Sequence, residues 1–174
     1  MIRLSLVILL LLLALPQPTY AQFDPAGFKQ ALKLKKNIYF SDSTISGGDG
    51  SVSDFRVSQI RLAANKDGYD RIVLELQGND SGSKSALTIP PFYMVENDSN
   101  NKRVLITLFG KVKQEFSRQI ASQQARRTKF ISHLEFLPLV DTDRWSWLVY
   151  TQVPVKAEVF ELTSPSRIII DLKP

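Results

Sequence analysis

The chain has 174 residues, with 22 Lys+Arg against 17 Asp+Glu, a single His and no Cys. These counts exclude disulfides, thiolate nucleophiles, Cys–His pairs and a zinc site built on three histidines. The net charge of +5 favours anionic partners, and the 44% hydrophobic content is enough for a buried core.

In chain order, the first stretch is MIRLSLVILLLLLALPQPTYAQ. One basic residue, Arg3, precedes an apolar run from Leu4 to Leu15, then Pro16, Pro18 and small residues up to Ala21. This is the layout of a secretory signal peptide over residues 1–21, with cleavage expected before Gln22. The run is far shorter than the ~20 residues that span a bilayer, so no membrane span is expected after cleavage. The remaining 153 residues hold 21 basic and 17 acidic side chains, a net +4. Export without disulfides points to a bacterial envelope, periplasmic or secreted, and argues against nucleic acid as a partner.

Residues 22–53 read as a helix followed by a linker. Asp24-Pro25 places an N-cap before a first-turn proline, and Phe28, Ala31, Leu32 and Lys35 follow at helical spacing. A short helix from Pro25 to about Lys36 is predicted. SDSTISGGDGSVS, Ser41 to Ser53, is small, polar and Gly-rich, so it reads as a flexible linker. The whole segment is expected to add little to the core.

Residues 54–174 are rich in alternating β-branched and aromatic residues, and they contain a repeat. VSQIRL (Val57 to Leu62) matches ISHLEF (Ile131 to Phe136) position by position. Asp-Arg pairs follow, at Asp70-Arg71 and Asp143-Arg144, and each half closes on an Arg-led apolar strand, RVLITL (Arg103 to Leu108) and RIIIDL (Arg167 to Leu172). Two halves of short strands, about 55–109 and 131–172, predict an all-β fold of two packed sheets, a β-sandwich built by internal duplication. Between them, Phe116 and Ile120 fit one stripe of a connecting helix within Val112 to Arg127.

The closing phrase PVKAEVFELTSPSRIIIDLKP, preceded by WSWLVYTQ, resembles the end of the AMIN domain, whose repeat closes on a pattern L..P.R.v.Dl. The pattern falls on Leu162, Pro165, Arg167, Ile169 and Asp171-Leu172, and DGYDRIVLELQG resembles the first half of such domains. The resemblance covers residues 55 to 172. It implies a small two-sheet module of the bacterial envelope, of the kind found beside cell-wall amidases and pilus secretins, which it targets to peptidoglycan. Thr107 stands where the family's first half carries Asp.

Residues two apart on a strand share a face, so Arg167, Ile169 and Asp171 form one face of the last strand, and Ile168, Ile170 and Leu172 the other. The apolar triplet is expected inside, with Arg167 and Asp171 outside. The charged set can be a cross-strand pairing device. It can also be a polar surface, formed by Arg71, Glu75, Arg103, Arg167 and Asp171, that reads a glycan or its peptide carboxylates; the arginines suit carboxylates because their planar fork donates two parallel hydrogen bonds. Trp145 and Trp147 share a strand face; they are core aromatics or platforms for sugar rings. His133 aligns with Gln59, which marks a polar strand position, and no GxSxG turn or phosphate loop is present. The expectation is a non-catalytic envelope module without cofactor or metal, binding peptidoglycan or another anionic envelope polymer. The alternatives are an accessory subunit of an envelope protein complex (a secretin, pilus or hydrolase) and a carrier of a small ligand.

Overall fold

The computed structural model describes residues 35–79, 87–138 and 143–174. The expected signal peptide and most of the expected N-terminal helix lie outside these residues; Lys35 and Lys36, the expected end of that helix, are not helical. Among the described residues the elements are β1 (Ser43–Gly47), β2 (Asp54–Ala64), β3 (Asp70–Gly78), β4 (Tyr93–Asp98), β5 (Arg103–Phe109), β6 (Lys111–Gln114), α1 (Arg118–Ala125), β7 (Ile131–Phe136), β8 (Arg144–Thr151), β9 (Lys156–Leu162) and β10 (Arg167–Lys173).

The strands form two five-stranded sheets. Sheet A has the order β6-β2-β3-β10-β9, and sheet B the order β1-β4-β5-β8-β7. The order encodes the duplication. Each half gives one hairpin to each sheet: β2-β3 to A and β4-β5 to B, then β7-β8 to B and β9-β10 to A. Exchanging the halves carries β2-β3-β10-β9 onto β7-β8-β5-β4, the pattern of a pseudo-twofold axis.

The register repeats as well. A β-bulge interrupts β2 between Val57 and Gln59, and another interrupts β7 between Ile131 and His133. In both, the serine left in the bulge donates its hydroxyl to a carbonyl of the partner strand: Ser58 Oγ to Glu75 O at 3.2 Å, and Ser132 Oγ to Tyr150 O at 3.1 Å. The bulge also lets Val57 and Ile60, three residues apart, both face inward. Pairing corrects one part of the sequence alignment. Arg71 lies opposite Asp171, and Ser146 opposite Thr107. The equivalent of Asp70-Arg71 is therefore Trp145-Ser146, two residues beyond the Asp143-Arg144 pair.

Strand alternation builds the core. In β3, Ile72, Leu74 and Leu76 point inward; in β5 and β8, Val104, Ile106, Leu108, Trp145, Trp147 and Val149 meet them from sheet B. Each such side chain contributes roughly 1.5–3 kcal/mol by leaving water. Trp145 and Trp147 lie 4.6 Å apart between ring centroids, and Phe116 and Phe136 pack on Trp145. Both tryptophans are at most 1% exposed, so the core reading holds.

The open sides of the sandwich are covered differently. On one side α1 sits between β2 and β7, burying Ala121 and Ala125. It is shorter than the expected span: residues 111–114 form β6 instead, Phe116 precedes the helix, and Ile120 is exposed. Ser117 supplies the N-cap, and within the helix Ala121 and Ala125, not Ile120, fit against the sheets, while Phe116 packs on Trp145 from just before it.

On the other side the stretch expected to be a flexible linker is ordered structure. Residues 35–40 run along β9, where Phe40 and Ala157 exchange backbone hydrogen bonds at 2.9 Å, and β1 then pairs with β4 over five residues. This strap crosses from one sheet to the other. Two buried polar side chains at equivalent places in β4 and β9 hold it. Asn97 donates to the carbonyls of Phe40 and Val155, and Glu161 accepts from Gly48 N and Tyr93 OH. Gly48, at φ +78°, is required by close approach: a Cβ there would meet the Pro91 carbonyl oxygen at 2.0 Å.

Candidate functional site

The residues singled out in the sequence separate onto different surfaces. Trp145 and Trp147 are in the core and reach no ligand. Arg103 lies on the outer face of sheet B. Arg71, Glu75, Arg167 and Asp171 come together on the outer face of sheet A, where β3 and β10 pair with Arg167 opposite Glu75 and Asp171 opposite Arg71.

Asp171 departs from expectation: it is fully buried rather than outward. β9 and β10 are buried on both faces because the strap lies over their outer side. There Asp171 takes a bidentate fork from Arg71, Nε to Oδ1 at 2.7 Å and one terminal nitrogen to Oδ2 at 2.8 Å. It also accepts from Lys35 Nζ at 2.5 Å. The hydrogen bond from Arg71 to Asp171 outweighs burial and raises the guanidinium pKa. For Lys35, burial pulls the pKa down, but the hydrogen bond and charge of Asp171 win, and the net shift is upward.

Next to this cluster is an open hollow of about 280 Å³. Arg61, Arg71 and Arg167 line it together with Ala63, Val73, Leu162 and Ile169. Arg61 is paired with Glu75, and Arg71 with Asp171. Arg167 has no ion pair among the described residues; its Nε makes only a long bond, 3.4 Å, to the Pro165 carbonyl. An arginine with a free fork over an apolar floor, flanked by two further cations, is suited to a carboxylate carried on a small alkyl group.

The duplicated half provides an internal comparison. By register Arg167 corresponds to Arg103, but Leu162 beside Arg167 corresponds to Asp98, which accepts from Arg103 Nε at 3.0 Å. Arg61 corresponds to Glu135, which here accepts from Tyr150 OH. The Arg71–Asp171 pair corresponds to a neutral one, Thr107 Oγ1 to Ser146 Oγ at 2.9 Å. The same fold thus forms, on sheet B, an outer face in which Asp98, Glu135 and the Thr107–Ser146 pair stand where sheet A has Leu162, Arg61 and the Asp171–Arg71 pair.

Arg61 was not among the residues picked from sequence. Its signal was in the repeat, where VSQIRL over ISHLEF sets Arg61 against Glu135. Lys35, Tyr69 and Glu158 are also absent from the sequence-based set: Lys35 falls at the end of the expected helix, and nothing local shows that it reaches Asp171 on β10, 136 residues away.

No protein-family model matches the chain, and no curated protein matches it. Among the described residues, no helix is long and apolar enough to cross a membrane.

Proposed function

We propose that this protein is a non-catalytic binding module of the cell envelope, and that the outer face of sheet A holds a carboxylate-bearing anionic polymer, peptidoglycan first among them. The observation that carries this reading is Arg167, without an ion-pair partner among the described residues, in a hollow lined by two further arginines. The resemblance of the closing strand to AMIN domains points the same way, as does the N-terminal stretch with the layout of a signal peptide. Co-sedimentation with purified sacculi tests it. The parent is expected to be retained and to be released as salt rises, because an open hollow is screened within roughly 10 Å at 0.1 M. Arg167→Glu, folded as the parent, should lose most retention, and what remains should respond less to salt. Equal retention of parent and variant would remove the binding from this face.

A second reading rests on the strap. Ile38 and Phe40 are large apolar side chains about half exposed. They favour an accessory subunit that docks on an envelope protein complex. Retention on such a complex, with none on sacculi, would decide for it.

A further inference from the structure

Beneath the strap, beside the arginine hollow, is a second site of opposite preference. Asp171 and Glu158 place two carboxylates there whose side chains are 0% and 5% exposed. Arg71 supplies one positive charge. Glu158 Oε1 accepts the backbone N–H groups of Lys36 and Asn37, both at 2.7 Å, while the buried Oε2 has no hydrogen-bond partner. Two buried carboxylates against one guanidinium leave one negative charge, which an interior does not tolerate unpaired.

Lys35 supplies the missing cation. Its ammonium is 2.5 Å from Asp171 Oδ2, 3.9 Å from Glu158 Oε2 and 4.1 Å from the centroid of the Tyr69 ring, with Phe160 at 5.9 Å. Aromatic faces and two acids around one ammonium are the chemistry of a cation site. We propose that this is a primary-ammonium binding site whose resident occupant is Lys35, and that an exogenous alkylammonium, such as a lysine side chain of a peptide, competes for it. The selectivity follows from the contents. Arg71 already occupies the forked edge of Asp171, so the remaining positions suit a compact head with three N–H donors. A quaternary ammonium has none to give to Glu158 Oε2. This inference is independent of what the arginine hollow binds.

The test is chemical rescue in the full chain. Lys35→Ala empties the site and should lower the unfolding temperature. n-Butylammonium should restore it with a saturable dose dependence, whereas tetramethylammonium or sodium chloride at equal ionic strength should not. The parent, already occupied, should respond only at concentrations tenfold or more higher. Adding Glu158→Gln should weaken the rescue at least tenfold. The proposal is overturned by a Lys35→Ala protein that shows no amine-specific rescue. It is equally overturned by a parent that responds at the same concentrations, or by rescue undiminished by Glu158→Gln. Should Lys35→Ala not fold, the Lys36 and Asn37 amide resonances of the parent report on Glu158 directly. Their failure to move saturably with n-butylammonium would equally overturn it.

Discussion

The carboxylate of Asp70 is fully buried and accepts three backbone N–H groups, from Lys129 at 3.0 Å, Phe130 at 2.6 Å and Ile131 at 3.2 Å. It fixes the loop between α1 and β7 to the start of β3. Removing the acceptor leaves three donors to find water or reorganise, each costing about 1–3 kcal/mol. Asp70→Ala should therefore destabilise by at least about 3 kcal/mol, and Asp70→Asn, which keeps one oxygen, by less; urea unfolding of the three proteins reads this directly. Two residues of β10 should separate in the same assay. Ile170→Asp buries a charge among apolar neighbours and should abolish folding, since Ile170 is 0% exposed. Arg167→Glu should change stability by no more than about 1 kcal/mol.

At the scale of elements, the strap is where composition and structure part. Ser, Gly and Asp in SDSTISGGDG carry the local signature of a linker, and nothing in that stretch reveals that β4 and β9 offer it backbone partners. Its glycine is used for close packing at Gly48, not for freedom. The signals that could be read were periodic ones. The inward triplet Ile168, Ile170 and Leu172 is buried as the alternation requires, and the repeat led to the two-sheet architecture. Asp171 was misplaced because alternation gives a face but not what covers it; the covering side chains, Lys35 and Tyr39, come from more than a hundred residues away. A chain beginning at Asp54 loses the β1–β4 pairing and strips Asn97, Glu158 and Glu161 of partners. It should be less stable than the full chain by roughly 3 kcal/mol or more, several buried hydrogen bonds at about 1 kcal/mol each. Equal melting temperatures would show that the strap only rests on the sandwich.

For the whole molecule, the duplication separates what the fold requires from what one face adds. Alkaline stability rests on the buried Tyr93 and on the strap. Burial, reinforced by Glu161, holds the Tyr93 pKa well above its ordinary 10.0, and the strap residue Lys35 is also shifted upward from 10.5. Above pH 10 the folded state keeps protons that the unfolded chain has released, so stability, intact below that point, should fall as pH rises through it. Tyr93→Phe should flatten the decline in urea midpoints measured from pH 9 to 11. The proposed binding surface should respond to a different change. Leu162→Asp gives Arg167 the acid that Asp98 gives Arg103, and Arg61→Glu installs the residue type that Glu135 occupies on sheet B. Both positions are at the surface, and both residue types already stand at the equivalent places in this fold. The double variant should keep the parent's circular dichroism, with a modest loss of stability from the carboxylate then facing Glu75. Its retention on sacculi should fall to that of sheet B's own face, close to none. A double variant that folds and still binds as the parent does would show that the arginines of sheet A were never the contact, and would move the search to the strap.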